Sequence, residues 1–322
     1  MAKDKKVLMG DEITLEQWLS FMKEKPKDIQ FEDYMLPSEA IKNEFISNIH
    51  TYDEHDIRRI LMRFLDFTGL LGSDRINMML LLKLLKDNKE EANQLVETSS
   101  YHRRLAQVAH SGGKLSLYGD IQWVIDLLPD SPRDALNVIG AFLTIHIIHL
   151  PDGRIHGLSD AESIIRARYF DAKTDNSVLY SLDPTEFEHV VEALYHEMGY
   201  STKMTKATHD GGRDIIADKI QPGSKEHIVI SCKRVRATVE PADYREIMAV
   251  VEDEKATKGA VVTTSDFSSE AHQYAKRNPR IELIGQEDLQ KMLNEYLGTT
   301  WNAHLVFYIN QSKQRHPKEN RV

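Results

Sequence analysis

Cysteine is almost absent: Cys232 is the only one in 322 residues. A disulfide within the chain is therefore excluded, and so is a zinc site built on several thiolates. Long apolar runs are missing as well. The longest, residues 138–150 (VIGAFLTIHIIHL), is too short to span a bilayer and carries two histidines. The N-terminus, MAKDKKVLMGDEI, is charged where a secretory signal needs an apolar stretch. These absences point to a cytoplasmic protein without a membrane role. Positive charge is not in excess either, because 41 Lys+Arg stand against 50 Asp+Glu, a net charge of −9. Such a chain is no constitutive coat for nucleic acid. A nucleic-acid site would need a local basic patch, or one whose charge is completed by a bound metal.

What is present fits an ordinary globular protein, with 41% apolar and 28% charged residues. The length suggests two domains. The first half reads as helical. Thr14 followed by Gln17 makes a capping box ahead of LEQWLSFMKE. Residues 57–71 and 78–85 carry apolar side chains at three- and four-residue spacing, which predicts a buried helix pair broken by Gly72-Ser73-Asp74. Ser131-Pro132-Arg133-Asp134 opens a helix over 135–150 that ends before Pro151-Asp152-Gly153, and a further helix is expected over 160–169. Residues 170–180 (FDAKTDNSVLY) are polar and lose the period, so the domain boundary is placed there.

After Tyr180 helices alternate with strands. Asp183-Pro184-Thr185-Glu186 starts a helix over 187–198. Strands are expected over 201–207, 213–218, 226–233, 259–264 and 281–284. Helices are expected over 241–254, 268–277 and 287–297. The fold class is therefore α+β with two domains: an all-helical domain over 1–175, then a mixed β-sheet flanked by helices over 176–300. Residues 301–322 form a basic C-terminal tail. Its stretch 313–321 (KQRHPKENR) is read as a solvated terminus, with a DNA contact as the second reading.

The chemistry concentrates in Asp210-Gly211-Gly212-Arg213-Asp214-Ile215 and Ile230-Ser231-Cys232-Lys233. Two adjacent strands joined by a tight hairpin bring these ends together. Side chains alternate along a strand, so Ser231 and Lys233 share one face and Cys232 takes the other. A carboxylate beside a lysine suits phosphodiester hydrolysis. Asp214 can hold Mg²⁺, which takes few protein ligands, and the ion lowers the pKa of a bound water while Lys233 orients that water and the phosphate. The plainer reading of the same residues is a glycine-rich turn beside a surface ion pair.

The segment 183–297 resembles the catalytic domain of the Mrr-type restriction endonucleases, within the PD-(D/E)xK nuclease superfamily. An ordered series carries the likeness. Phe187-Glu188 and Met198-Gly199-Tyr200 frame the first helix, followed by Asp210-Gly211-Gly212-Arg213-Asp214-Ile215 and Cys232-Lys233-Arg234. Tyr244-Arg245-Glu246, Val261-Val262-Thr263-Thr264-Ser265, Phe267-Ser268 and Ile281-Glu282-Leu283-Ile284-Gly285 complete it. The resemblance implies that Asp214 is the central metal ligand, with the backbone carbonyl of Cys232 as a second ligand. Lys233 would orient water and phosphate, and Glu188 would be a supporting carboxylate. Gly211 and Gly212 would permit the turn. The sequence departs from the family at Ser231, where Gln or Glu is usual. The implied activity is Mg²⁺- or Mn²⁺-dependent DNA cleavage in restriction of foreign DNA. The alternative is a DNA-binding or partner-assembly module of the same fold that does not cut. A homo-oligomer is expected, and the N-terminal domain is the place for a regulatory partner or ligand.

Lys233-Arg234-Val235-Arg236 is a short basic run beside the site, and Arg234 and Arg236, together with Arg213, are expected to contact DNA. His146, His149 and His156 are read as packing residues, because no further ligand stands at helical spacing. His209 is read as incidental to its turn. Ser111-Gly112-Gly113-Lys114 lacks the upstream glycine of a phosphate loop, since position 108 is Val, and an NTPase is excluded.

Overall fold

Short polar residues open the helices of the first half, as their capping preference dictates. In the computed structural model, which describes residues 6–8, 10, 12–112, 114–172, 177–205 and 212–317, Thr14 and Gln17 close the expected capping box of α1 (Leu15–Lys23). Ser38 and Asp53 cap α2 (Glu39–Ser47) and α3 (Glu54–Phe64). After α4 (Asp74–Asp87), Asn88 and Ser99 cap α5 (Lys89–Thr98) and α6 (Ser100–His110). Helices α7 (Pro132–His146) and α8 (Asp152–Ile165) follow, and a π-helical turn spans Arg166–Phe170. Trp18, Phe45 and Phe64 are fully buried and meet edge-on or tilted at about 6 Å between centroids.

Several expectations are corrected here. Among the described residues the N-terminal region is helical but for one short parallel pair, β1 (Lys6–Val7) with β2 (Ile29–Gln30). Helix α3 stops at Phe64, and the apolar residues of α4 are not confined to its buried face. Helix α4 buries only Asp74, Met78 and Leu81, leaving Ile76, Met79, Leu80 and Leu82 exposed, so the two do not form a buried pair. Pro151 does not separate two helices widely. Its extended backbone (φ −68°, ψ 150°) is the N-cap of α8, which starts eight residues before the expected 160. His146 and His149 do pack, against the rings of Phe142 (4.6 Å) and Tyr101 (3.7 Å).

The chain divides into Met1–Leu128 with Pro132–Arg168, and Pro129–Ser131 with Tyr169–Val322. The second unit begins with α9 (Ser177–Ser181). Asp183 and Glu186 make a capping box for α10 (Pro184–Glu197). Then come β3 (Ser201–Met204), β4 (Ile215–Gln221), β5 (Ser224–Lys233), α11 (Pro241–Asp253), β6 (Lys258–Thr263), α12 (Ser269–Arg277), β7 (Ile281–Ile284) and α13 (Gln286–Leu297). The strands form one mixed sheet in sequence order: β3, β4 and β5 pair antiparallel, and β5, β6 and β7 pair parallel. Alternation sorts its side chains. Ile215, Ala217, Ile228, Ile230, Ala260 and Val262 join Phe187 and Leu194 of α10 and Leu293 of α13 in one core. Val229 and Val261 join Tyr244 and Ile247 of α11 and Ala271 of α12 in the other.

The tail reading is overturned for residues 301–315. Trp301–His304 is a 3₁₀ turn and Leu305–Arg315 is α14. Trp301, Leu305 and Ile309 recur every four residues and are buried in the α10 core. At the end of α14 the fully buried Glu192 of α10 accepts from Arg315 Nη2 (2.8 Å) and Nε (3.2 Å), contacts His316 Nε2 (2.9 Å), and accepts from the Thr202 hydroxyl (2.5 Å). Burial pushes the Glu192 carboxyl up. The hydrogen bonds from Arg315, Ser312 and Thr202, with the Arg315 charge, outweigh it and hold the group at about 2. Arg315→Ala strands a buried carboxylate and is expected to cost about 3–5 kcal/mol of stability at neutral pH. The depressed carboxyl contributes stability above its ordinary pKa and loses it as the pH falls toward 2. The gap between wild type and variant is therefore expected to close below about pH 4. Urea unfolding curves across that range check both points.

Candidate active site

Asp214 is the residue just before β4, and the backbone fixes it on both sides. Its N–H donates to the Ile230 carbonyl (2.8 Å) and its carbonyl accepts from Thr205 (3.0 Å). Ile215 faces α10, so Asp214 faces α11. Ser231 and Lys233 do the same, being two and four residues on from Val229. The Asp214 carboxylate accepts the N–H of Cys232 at 2.6 Å. Lys233 Nζ lies 3.0 Å from Asp243 Oδ1 at the start of α11.

The Cys232 side chain turns the other way and packs on the α10 core. Backbone groups alternate too. The Lys233 carbonyl turns to β6, where the Thr264 N–H (3.2 Å) and Thr263 hydroxyl (2.9 Å) donate to it. The Cys232 carbonyl consequently turns to the β4 side, beyond the start of that strand and beside Asp214. Burial pushes the Asp214 carboxyl above its ordinary value. The N–H of Cys232 and the charge of Lys233 act against the shift, and Glu246 adds to it. Burial also pushes the Cys232 thiol well up, helped by the carboxylates of Asp214 and Glu188. Asp214 thus has an oxygen-rich surrounding of one carbonyl and further carboxylates, a donor set that suits a hard divalent cation.

The predicted residues fall as follows. Asp214, Ser231 and Lys233 share the α11 face of the sheet. Glu188, on α10 and partly buried, comes from the opposite face and is close enough for its charge to act on the Cys232 thiol. Ser231 is buried, with 2% exposure. Of the expected DNA contacts, Arg213 is ion-paired with Glu254 and Arg234 donates to the Tyr180 carbonyl (3.2 Å). Arg236 is exposed, its guanidinium 5.6 Å from the centre of the Tyr180 ring. His209, Asp210 and Gly211 lie outside the described residues. Gly212 has φ +77°, where a side chain is strained. A Cβ there would also lie 2.7 Å from Cδ of Glu246.

Two acidic residues were not singled out from the sequence, Asp243 and Glu246. Their signal was a spacing of three on a helix that follows Lys233 after a short connection and begins with Pro241. Which strand end that helix face would meet is a tertiary fact, and spacing alone does not give it.

Residues 179–293 match the family described as restriction endonuclease, the Mrr catalytic domain. The match covers nearly all of the segment whose motifs carried the resemblance. Over 152 residues the chain is 28% identical to the type IV methyl-directed restriction enzyme EcoKMrr of Escherichia coli (strain K12), covering 45% of this chain and 47% of that protein. The chain therefore spans about half the length of that curated relative. Among solved structures, the DNA modification-dependent restriction endonuclease AspBHI is similar over 44% of this chain and 39% of its own, with 18% identity and a TM-score of 0.37. MspJI restriction endonuclease, in complex with a 27-mer oligonucleotide, is similar over 52% of this chain and 45% of its own, with 16% identity and a TM-score of 0.35.

Proposed function

We propose that this chain is a divalent-metal-dependent endonuclease that hydrolyses DNA phosphodiesters, acting in restriction of foreign DNA. The observation that carries this reading is the convergence of Asp214, the Cys232 backbone and Lys233 at one end of the sheet, inside the segment that matches the restriction endonuclease family. Asp214 and the Cys232 carbonyl are the groups that would hold Mg²⁺ or Mn²⁺, with Glu188 in support. When bound, the ion supplies a water of lowered pKa and offsets charge on the phosphate.

The chain's own groups do the rest. The Cys232 N–H fixes the Asp214 carboxylate in one orientation. Lys233 presents ammonium protons to the phosphate and the attacking water, and Asp243 sets the direction of its Nζ. Of the three arginines, Arg236 is the exposed one and would meet the DNA backbone. Arg213 and Arg234 would have to exchange their protein partners for phosphate.

The helical unit is the part available for recognition, self-association or a regulatory ligand. The exposed Ile76, Met79 and Leu80 of α4 favour self-association there. Among the described residues no helix is long and apolar enough to cross a membrane.

Supercoiled plasmid, methylated and unmethylated, incubated with Mg²⁺, Mn²⁺ or EDTA tests the reading. Nicked or linear product with either metal and none with EDTA is the expected result. No cleavage of either plasmid with either metal would overturn it in favour of a DNA-binding module that does not cut.

A further inference from the structure

The position two residues before Lys233 holds Ser231, whose side chain is short, neutral and buried to 2% exposure. It faces α11 together with Asp214 and Lys233. A metal held on this face would have one oxygen ligand fewer than a Gln could supply there, and one anionic ligand fewer than a Glu could. Helix α11 closes the gap from above. Asp243 and Glu246 lie three residues apart on one helix face. Asp243 meets Lys233 Nζ at 3.0 Å, and Glu246 continues the row toward Gly212, two residues before Asp214. The approach is so close that a Cβ on Gly212 would lie 2.7 Å from Cδ and 2.8 Å from Oε2 of Glu246. Gly212 thereby provides the space in which that carboxylate sits.

The charges point the same way. Asp214, Asp243 and Glu246 carry three formal negative charges and Lys233 one positive, which leaves −2. Arg213, the neighbouring cation, is already paired with Glu254. Glu246 acts on Asp214 as a like charge, and it is itself exposed, free of the packing that holds Tyr244 and Ile247 of the same helix. A buried carboxylate with a second one near enough to raise its pKa is unfavourable alone and favourable around a divalent cation.

We propose that Glu246 supplies to the divalent ion, from α11, the carboxylate that Ser231 does not supply from β5. The inference rests on the metal-dependent reading above and names a further residue of that site.

Calorimetric titration of the full chain with Mn²⁺, without DNA, tests it on wild type, Asp214→Asn, Glu246→Gln and the double variant Ser231→Glu/Glu246→Gln. Glu246→Gln is isosteric at an exposed position, and circular dichroism verifies that it folds. The expected result is that Asp214→Asn abolishes binding and Glu246→Gln raises the half-saturating Mn²⁺ concentration on the order of tenfold or more. The double variant is expected to regain affinity relative to Glu246→Gln, because its new carboxylate sits at the position Ser231 leaves neutral. Wild-type affinity in Glu246→Gln, with binding lost in Asp214→Asn, would overturn the inference and leave the metal-dependent reading standing. A double variant that binds no more tightly than Glu246→Gln would also overturn it. Absence of Mn²⁺ binding in the wild type would overturn both.

Discussion

Asp214→Asn is expected to lower metal-dependent DNA cleavage by about 10³-fold or more while leaving the protein folded. The size follows from the role. A catalytic metal contributes several kcal/mol of charge stabilisation, and about 1.4 kcal/mol is a factor of ten in rate. The isosteric amide keeps an oxygen to accept the Cys232 N–H, so the loop before β4 has its anchor. Burial already disfavours the ionised carboxyl, and Glu246 adds to that, so a neutral group relieves a cost in the metal-free protein. The thermal unfolding midpoint of the variant is accordingly expected to equal or exceed that of the wild type. Wild-type cleavage by a folded Asp214→Asn protein would remove Asp214 from the site.

Lys233→Ala is expected to separate rate from metal affinity. The lysine donates protons and charge to water and phosphate, a contribution of roughly 10²–10⁴-fold to the chemical step. It is not a metal ligand, and its removal leaves Asp243 without its 3.0 Å partner. The site becomes more negative, so Mn²⁺ affinity is expected to hold or rise. Single-turnover cleavage rates beside a Mn²⁺ titration check the two halves together. Loss of metal binding along with the lysine would show that the division of roles between Asp214 and Lys233 is wrong.

Much of the second unit was legible in the sequence because its elements announce themselves locally. The strand Ile281–Ile284 was placed to the residue, and α11 and α13 to within one, since Pro241 and Gly285 mark their starts. The shared face of Ser231 and Lys233 needed only the two-residue period of a strand. Expectation and structure differ where a local signal has two meanings. Pro151-Asp152-Gly153 reads equally well as the end of one helix or the cap of the next, and the structure takes the second. The row Trp301, Leu305, Ile309 has helical spacing, but the basic residues after it drew attention to charge instead of period. Nothing local marked β1 and β2, two residues each. Glu246 was named as part of a motif, yet its seat over Gly212 depends on how α11 lies on the sheet, and that is set by Tyr244, Ile247 and Val251 packing on Val229 and Val261.

The clamp of Arg315 and His316 on Glu192 has a bearing on how the protein comes off the ribosome. Every residue assigned to the site, from Glu188 to Glu246, is synthesised before α14. During that interval α10 lacks the helix that covers it, and Glu192 lacks the cations that make its burial tolerable. The strands have emerged, and α10, which carries Glu188, can meet them on one side while its other side still lacks α14. Translation must pass residue 316 before the site has its full support. For a nuclease of the proposed kind, made within reach of its own cell's genome, the order of the chain then acts as a timer: the nascent polypeptide holds its site residues in sequence well before it can hold them in place.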